Sequence, residues 1–231
     1  MITKRAGLAG MCLGSWLAIL SQGIAAGQVY DTVPNVPDHY KKRLVAFRDE
    51  PTIAEVVVFL GNSITEGGDW AKLFGNTPSL NRGISGDNTF GVMARLDEVI
   101  RHKPSKVFLM IGVNDLSKNI PPARVIQNIF SIVGRIRAES PKTAVFVQSL
   151  LPVNPGHKKF PKQFNKQADI ETINGQLKKY ADALKYTYLN LFNEFLDGSM
   201  KLELKYTTDG LHLSPEGYVH WANYLRKEKC L

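Results

Sequence analysis

The chain of 231 residues is long enough for one substantial hydrophobic core and too short for two ordinary enzyme domains. Hydrophobic residues make up 44% of it and charged residues 22%, which excludes a wholly disordered, collagen-like or coiled-coil protein. The formal net charge of +8 permits acidic partners without identifying one. Two cysteines, Cys12 and Cys230, are too few for a disulfide scaffold or a cysteine-rich zinc site.

Residues 1–26 have the pattern of a secretory signal peptide. Lys4 and Arg5 give a positive start, residues 6–20 are apolar and uncharged, and the segment ends in small residues, as a signal peptidase requires. The apolar run is shorter than the ~20 residues that a bilayer span needs, so we expect cleavage rather than an uncleaved anchor. The sequence therefore predicts an exported protein, periplasmic or secreted, whose remaining residues 27–231 form one domain without stable membrane insertion.

Strands and helices alternate along the remaining chain. Helical patterns are predicted over 39–48, 90–100, 122–138 and 169–184, and from the Ser214-Pro215 cap to Lys227. Apolar runs typical of strands buried on both faces occur at 56–60, 106–111 and 144–150, with a weaker run at 186–191 and a short extended piece near 80–82. This alternation implies right-handed crossovers. We therefore predict an α/β fold, a three-layer sandwich around a central parallel sheet of about five strands.

Four short motifs lie where ligands bind in such folds, beyond the carboxyl ends of the strands. Two of them directly follow predicted strands, one ends the short second strand, and the fourth precedes the last helix. The motifs are Gly61-Asn62-Ser63-Ile64, Asn81-Arg82-Gly83, Gly112-Val113-Asn114-Asp115 and Asp209-Gly210-Leu211-His212.

These motifs supply the parts of a serine-dependent acyl transfer. A serine hydroxyl is a weak nucleophile until a base removes its proton, and a histidine oriented by a carboxylate is the usual base. Ser63 is the candidate nucleophile. Among the five histidines only His212 has an aspartate, Asp209, three residues before it. The N–H groups of Ser63 and Gly83 and the side-chain amide of Asn114 are candidate donors to the oxyanion.

Each of these residues has a simpler interpretation when it is taken alone. Ser63 and Asn114 are common turn or cap residues, Gly83 permits unusual backbone dihedrals, and His212 could be a buried histidine with its partners satisfied. Their common placement at the strand ends favours a catalytic site.

The four motifs together resemble those of the SGNH hydrolase family, also called the GDSL esterase/lipase family. The resemblance extends from about Val56 to Leu225. It implies a flavodoxin-like sandwich and an ester hydrolase that needs no metal or organic cofactor. It also implies a role for each predicted site residue: Ser63 as nucleophile, Gly83 and Asn114 in the oxyanion hole, and Asp209 and His212 as orienting acid and base.

Asn62 and Ile64 stand where the family's nominal motif has aspartate and leucine. The segments 61–66 and 81–86 are similar to the platelet-activating-factor acetylhydrolase-like branch and to exported bacterial acetylesterases that act on sugars. The leading hypothesis is therefore a serine esterase that removes O-acetyl groups from a glycan or another small ester.

Two other functions stay open. A lysophospholipase or thioesterase would need a longer apolar groove, which Trp70, Phe74 and residues 151–164 could line; packing of Trp70 and Phe74 against the sheet is the simpler expectation. A non-catalytic carbohydrate-binding module would use the same fold without the chemistry.

The basic charge does not by itself indicate a nucleic-acid partner, because no recognised motif accompanies the lysines. The loop 152–167 follows a strand end, so its lysines could border the site and favour anionic substrates. The sequence carries no signal of an oligomeric state.

Overall fold

In the computed structural model, which describes residues 29–157 and 159–231, a five-stranded parallel sheet carries the fold. The strands lie in the order β2-β1-β3-β4-β5 and every neighbouring pair is parallel. This confirms the predicted fold class, and each strand falls within or next to a predicted run. Their bounds are β1 (Val57–Gly61), β2 (Ser79–Gly83), β3 (Lys106–Met110), β4 (Ala144–Gln148) and β5 (Thr187–Leu189).

Helices fill the connections between the strands. The predicted helix over 90–100 is two helices, because the chain breaks at Arg95, with φ −113° and ψ 13°, and buries its guanidinium against Asp87. The helices are α1 (Pro37–Asp49), α2 (Ser63–Glu66), α3 (Trp70–Phe74), α4 (Thr89–Ala94), α5 (Leu96–Ile100), α6 (Val113–Ser117), α7 (Pro122–Glu139), α8 (Pro161–Phe164), α9 (Gln167–Leu184), α10 (Leu191–Glu194) and α11 (Pro215–Lys227).

Aromatic side chains cover one face of the sheet. Phe59 and Phe108, which are neighbours in the β1–β3 register, stack with their ring centroids 5.0 Å apart. Trp70 of α3 stacks on Phe59 at 4.0 Å, and Phe74 lies 5.6 Å from the same ring. Trp221 of α11 meets Trp70 edge-on at 4.8 Å. Trp70 and Phe74 therefore pack α3 onto the sheet, which confirms the simpler of the two expectations for these residues.

The long helix α7 contributes a second apolar stripe to the core. Its buried residues recur at helical spacing, while Gly134 on its outer side is exposed. The helix packs against α4 and α9. The buried apolar residues of this stripe are Val125, Ile126, Ile129, Ile132, Val133 and Ile136.

The order of the strands determines where a site can form. The chain passes from β1 to β2 on one side and places β3 on the other side of β1, so the carboxyl ends of β1 and β3 meet at a topological switch point. Both α2, which begins at Ser63, and α6, which contains Asn114, start there.

Two further expectations concern the signal peptide and membrane insertion. The predicted signal peptide, residues 1–26, lies outside the described residues. Within the described part of the chain, no helix has the length and apolarity to cross a membrane.

Candidate active site

Ser63 lies at a sharp turn between β1 and α2. A Cβ atom on Gly61 would lie 2.2 Å from Thr65 Oγ1 and 2.4 Å from the Met110 carbonyl oxygen, so only glycine fits there. Asn62 caps α2 by accepting a hydrogen bond from the Ile64 N–H at 3.0 Å. The turn places Ser63 as the first residue of the helix, with its side chain partly accessible.

A chain of hydrogen bonds links the three predicted catalytic side chains. Ser63 Oγ lies 2.9 Å from His212 Nε2, and His212 Nδ1 lies 2.9 Å from Asp209 Oδ2. The Asp209 carboxylate fixes the tautomer in which Nδ1 carries hydrogen, leaving Nε2 as an acceptor for the serine proton. The structure thus brings together residues that are separated by about 150 positions in the sequence.

The carboxylate of Asp209 is held in its charged form. Burial opposes the charge, but hydrogen bonds from the N–H and the imidazole of His212 outweigh it, so the pKa of Asp209 lies below its usual value. The Leu211 N–H also donates to this carboxylate, at 3.1 Å. Thr207 Oγ1 closes the turn by accepting from the Gly210 N–H at 2.8 Å. The 209–212 turn therefore presents Asp209 and His212, the predicted acid and base, as one unit.

The Asn114 side chain is oriented from both of its ends. Its Nδ2 donates to the Asp87 carbonyl oxygen at 2.8 Å, and its Oδ1 accepts from Asn35 Nδ2 at 3.4 Å. The second hydrogen on Nδ2 remains for a ligand. Asn35 also donates its backbone N–H to the Gly86 carbonyl oxygen at 2.8 Å. Sequence reasoning missed Asn35, because nothing local marks a contact made across 79 positions.

The structure corrects the prediction that the Gly83 N–H is available to an oxyanion. The Ile84 N–H donates to the Gly61 carbonyl in the ladder with β1, so the N–H of Gly83 points away from β1, toward the edge of the sheet. There it donates to Asn81 Oδ1 at 2.9 Å. A Cβ on Gly83 would lie 2.1 Å from the Glu66 backbone nitrogen. Gly83 therefore has a packing role beneath α2.

Gly86, three residues further along, offers the N–H that Gly83 does not. It sits in the turn Ile84–Asp87 with φ +79°, and its N–H has no acceptor among the described residues. The turn is anchored because Glu66 accepts from the Ser85 N–H at 2.5 Å and from Ser85 Oγ at 2.6 Å. Both glycines lie within the segment 81–86, so the choice between them as the oxyanion donor depends on where β2 ends and on its register.

The loop that follows β4 reaches two of the predicted catalytic side chains. Lys159 Nζ lies 3.7 Å from Asp209 Oδ2, and the Phe160 ring meets the His212 ring edge-on at 5.2 Å. The prediction that lysines of this loop border the site therefore agrees with the position of Lys159. Lys158 lies outside the described residues.

Three histidines outside the predicted catalytic residues have partners of their own. His39 contacts Glu66 at 2.9 Å and His102 contacts Glu98 at 3.2 Å. His220 lies on α11, as predicted, and stacks on Tyr206 with ring centroids 4.4 Å apart. Across residues 29–157 and 159–231, no group of three or more histidine, cysteine, aspartate or glutamate side chains is arranged to hold a metal ion.

Comparisons with known proteins agree on one family. The model of the GDSL-like Lipase/Acylhydrolase family matches residues 59–219, a range that contains all five predicted site residues. The chain is 31% identical over 171 residues to platelet-activating factor acetylhydrolase IB subunit alpha1 of Rattus norvegicus, covering 71% of this chain and 70% of that protein. It is 27% identical over 150 residues to an arylesterase of Vibrio mimicus, covering 64% and 68%.

The fold is similar to that of a solved structure of the same kind. A GDSL-like lipase from Bacteroides thetaiotaomicron VPI-5482 superposes with a TM-score of 0.70 at 28% sequence identity, covering 83% of this chain and 98% of that one.

Proposed function

This chain belongs to the GDSL-like lipase/acylhydrolase family and is a carboxylic ester hydrolase, and from that premise we propose that Ser63 is its nucleophile and that O-acetylated carbohydrates are its substrates. The observation that carries the first part is the hydrogen-bonded chain Ser63–His212–Asp209, with both bonds at 2.9 Å. The predicted signal peptide supports the second part, because export would deliver the enzyme to acetylated envelope and extracellular glycans.

The reaction proceeds through an acyl-enzyme. His212 Nε2 takes the proton of Ser63 Oγ as the oxygen bonds to the ester carbonyl carbon, and the carbonyl electron pair moves onto its oxygen. When this intermediate collapses, the carbon–alkoxy bond breaks and His212 protonates the departing alcohol. Water then attacks the acyl group in the same manner and Ser63 recovers its proton, while Asp209 stabilises the imidazolium throughout.

Three donors face the developing oxyanion in this proposal. They are the N–H of Ser63, the second Nδ2 hydrogen of Asn114 and the N–H of Gly86. The N–H groups of Ser63 and Gly86 lack acceptors among the described residues, and the Asp87 and Asn35 contacts hold the Asn114 amide in one orientation. Donors fixed before the reaction stabilise the charge without reorganisation.

An acetyl group is the acyl group that we propose Ser63 accepts. The small apolar cavity next to the turn at Ser63, lined by Asn62, Ile64 and Leu211 among others, measures about 10 Å³, enough for a single water-sized group, so this cavity is not a channel for a fatty acyl chain. The name of the rat relative, an acetylhydrolase, supports the same choice.

Hydrolysis of 4-nitrophenyl acetate, butyrate and octanoate tests the proposal. We expect the acetate to be the best substrate and Ser63→Ala to lower kcat roughly 10⁴-fold or more. Ser131→Ala is the matched control, since Ser131 lies on the exposed side of α7. Wild-type turnover by folded Ser63→Ala would overturn the role of Ser63, and a preference for octanoate would assign the enzyme to lipid esters instead.

A further inference from the structure

A polar cleft adjoins the site and is not used by the catalytic chemistry. Its volume is about 920 Å³, at the upper end of the range for ligand sites. The segment before α1, the end of α6 and the segment around α8 form its walls. We call it the lysine cleft and define it by Asn35, Pro37, Lys118, Pro161, Lys162 and Lys166.

The lysine cleft is linked to the predicted catalytic residues through its neighbours, although Ser63, Asn114 and His212 do not line it. Asn35 lines it and also contacts the Asn114 amide through Nδ2. Lys159 and Phe160, directly before α8, touch Asp209 and His212. An alcohol part that extends from the ester carbon past Asn35 or Phe160 would therefore enter the cleft.

The charge of the lysine cleft is predominantly positive. Its lining holds three lysines and one carboxylate, Asp31. Lys118 pairs with Asp31 at 2.8 Å, and Lys166 lies 3.6 Å from Asp169. Lys162 is exposed and has no ion pair within the described residues. Positive charge thus remains for a ligand at Lys162, and Lys159 adds a further ammonium beside the catalytic carboxylate.

The lining does not suit an aliphatic chain. It has no aromatic side chain, and its apolar atoms come largely from prolines and Val33 set between amides and lysines. A hydroxyl-rich ligand that carries a carboxylate matches both the polarity and the charge.

We infer that the lysine cleft binds the alcohol side of an acetylated acidic carbohydrate, a uronic acid unit, with its carboxylate directed to Lys162 and Lys166. This inference rests on the proposed function and deepens it by naming the substrate class. An exposed ammonium–carboxylate pair contributes modestly and is screened by salt. The expected effect is therefore selectivity between substrates rather than a change in the chemistry.

A matched pair of substrates tests the inference: an O-acetylated methyl glucoside and the corresponding methyl glucuronide, which differ only in a hydroxymethyl group against a carboxylate. We expect the wild-type enzyme to have the higher kcat/KM for the glucuronide and to lose that advantage as salt rises. Lys162→Ala should lower kcat/KM for the glucuronide roughly 2- to 5-fold, mainly through KM, and the double variant with Lys166→Ala should lower it further.

The controls separate failure of this inference from failure of the proposed function. Lys142→Ala changes an exposed lysine just before β4, at the amino-terminal ends of the strands. It should leave the rates on both sugars unchanged. Hydrolysis of 4-nitrophenyl acetate should be unaffected by Lys142→Ala and should fall in Ser63→Ala as in the test of the proposed function.

Several outcomes would overturn the inference while leaving the esterase intact. They are equal wild-type rates on the two sugars, or equal losses on both in Lys162→Ala, with 4-nitrophenyl acetate still hydrolysed. Inhibition by a short single-stranded oligonucleotide but not by methyl glucuronide would assign the lysines to nucleic acid.

Discussion

At the scale of single residues, the orientation of the Asn114 side-chain amide determines whether the proposed oxyanion hole can donate a hydrogen bond from this residue. Asn114 can donate to a ligand only when Nδ2, rather than Oδ1, faces the nucleophile. The Asn35 amide fixes this choice, because it donates to Oδ1 while the Asp87 carbonyl accepts from Nδ2. In the proposed mechanism, Asn35 is therefore a positioning residue that acts through Asn114.

The Asn35→Ala variant should therefore lose turnover with little change in KM. We expect kcat to fall about 10-fold, less than the 10²–10³-fold that loss of an oxyanion donor costs. The measurement is a double-mutant cycle with Asn114→Ala on 4-nitrophenyl acetate. If Asn35 acts only through Asn114, its removal in the Asn114→Ala background has no further effect on kcat. An equal loss in both backgrounds would contradict the positioning role.

At the scale of elements, two glycines hold α2 against the sheet. Gly61 and Gly83 are partners in the β1–β2 register, and a Cβ on either would collide with atoms of α2. The collision at Gly83 is with backbone atoms of Glu66, at 2.1 and 2.6 Å, so no side-chain rotation can relieve it. Any side chain there must move the helix that carries Ser63.

The Gly83→Ala variant should therefore lose both stability and activity. We expect a decrease in the free energy of unfolding of about 1–3 kcal/mol, measured by urea denaturation, with a fall in kcat as Ser63 leaves its position beside His212. The matched control is Gly134→Ala in α7, where a Cβ meets nothing within 4 Å. That change should stabilise the protein by about 0.5–1 kcal/mol. A Gly83→Ala variant as stable and active as wild type would show that α2 is not held in this way.

At the scale of the whole molecule, the sequence predicts what depends on local pattern and misses what depends on register and on distant contacts. The buried strand runs and the Ser214-Pro215 cap are local, and the structure has them. The direction of the Gly83 N–H depends on which of the alternating backbone N–H groups of β2 point toward β1. The break at Arg95 depends on acceptors up to 34 positions away.

The candidate site likewise has a part that local sequence pattern predicts and a part that depends on distant contacts. Strand-end motifs bring Ser63, Asn114 and His212 to one edge of the sheet, which the alternation of elements already implies. The roles of Asn35 and Lys159 arise only when segments outside those motifs fold over the edge. Long-range side-chain contacts of this kind leave no period or composition signal in the sequence.

A buried carboxylate couples the stability of the whole molecule to pH. Asp115 of α6 accepts hydrogen bonds from the N–H and hydroxyl of Thr89, which starts α4, and Asn128 of α7 donates to that hydroxyl. Burial outweighs these hydrogen bonds and, with a small contribution from the nearby charge of Asp87, raises the pKa of Asp115 from 3.8 to about 6. The folded protein therefore binds this proton more tightly than the unfolded chain does.

The sign of the pH dependence follows from this difference. The contribution of Asp115 is fully present below about pH 4 and is lost as the pH rises through about 6, a change on the order of 3 kcal/mol. Urea unfolding of wild type and Asp115→Asn between pH 4 and 7 isolates it, because other groups titrate in both proteins. Relative to the variant, the wild type should become less stable as the pH rises, whereas Asp182→Asn on the exposed side of α9 should show a constant difference. A constant difference for Asp115→Asn as well would mean that Asp115 stays ionised when buried, and that Thr89 alone compensates its charge.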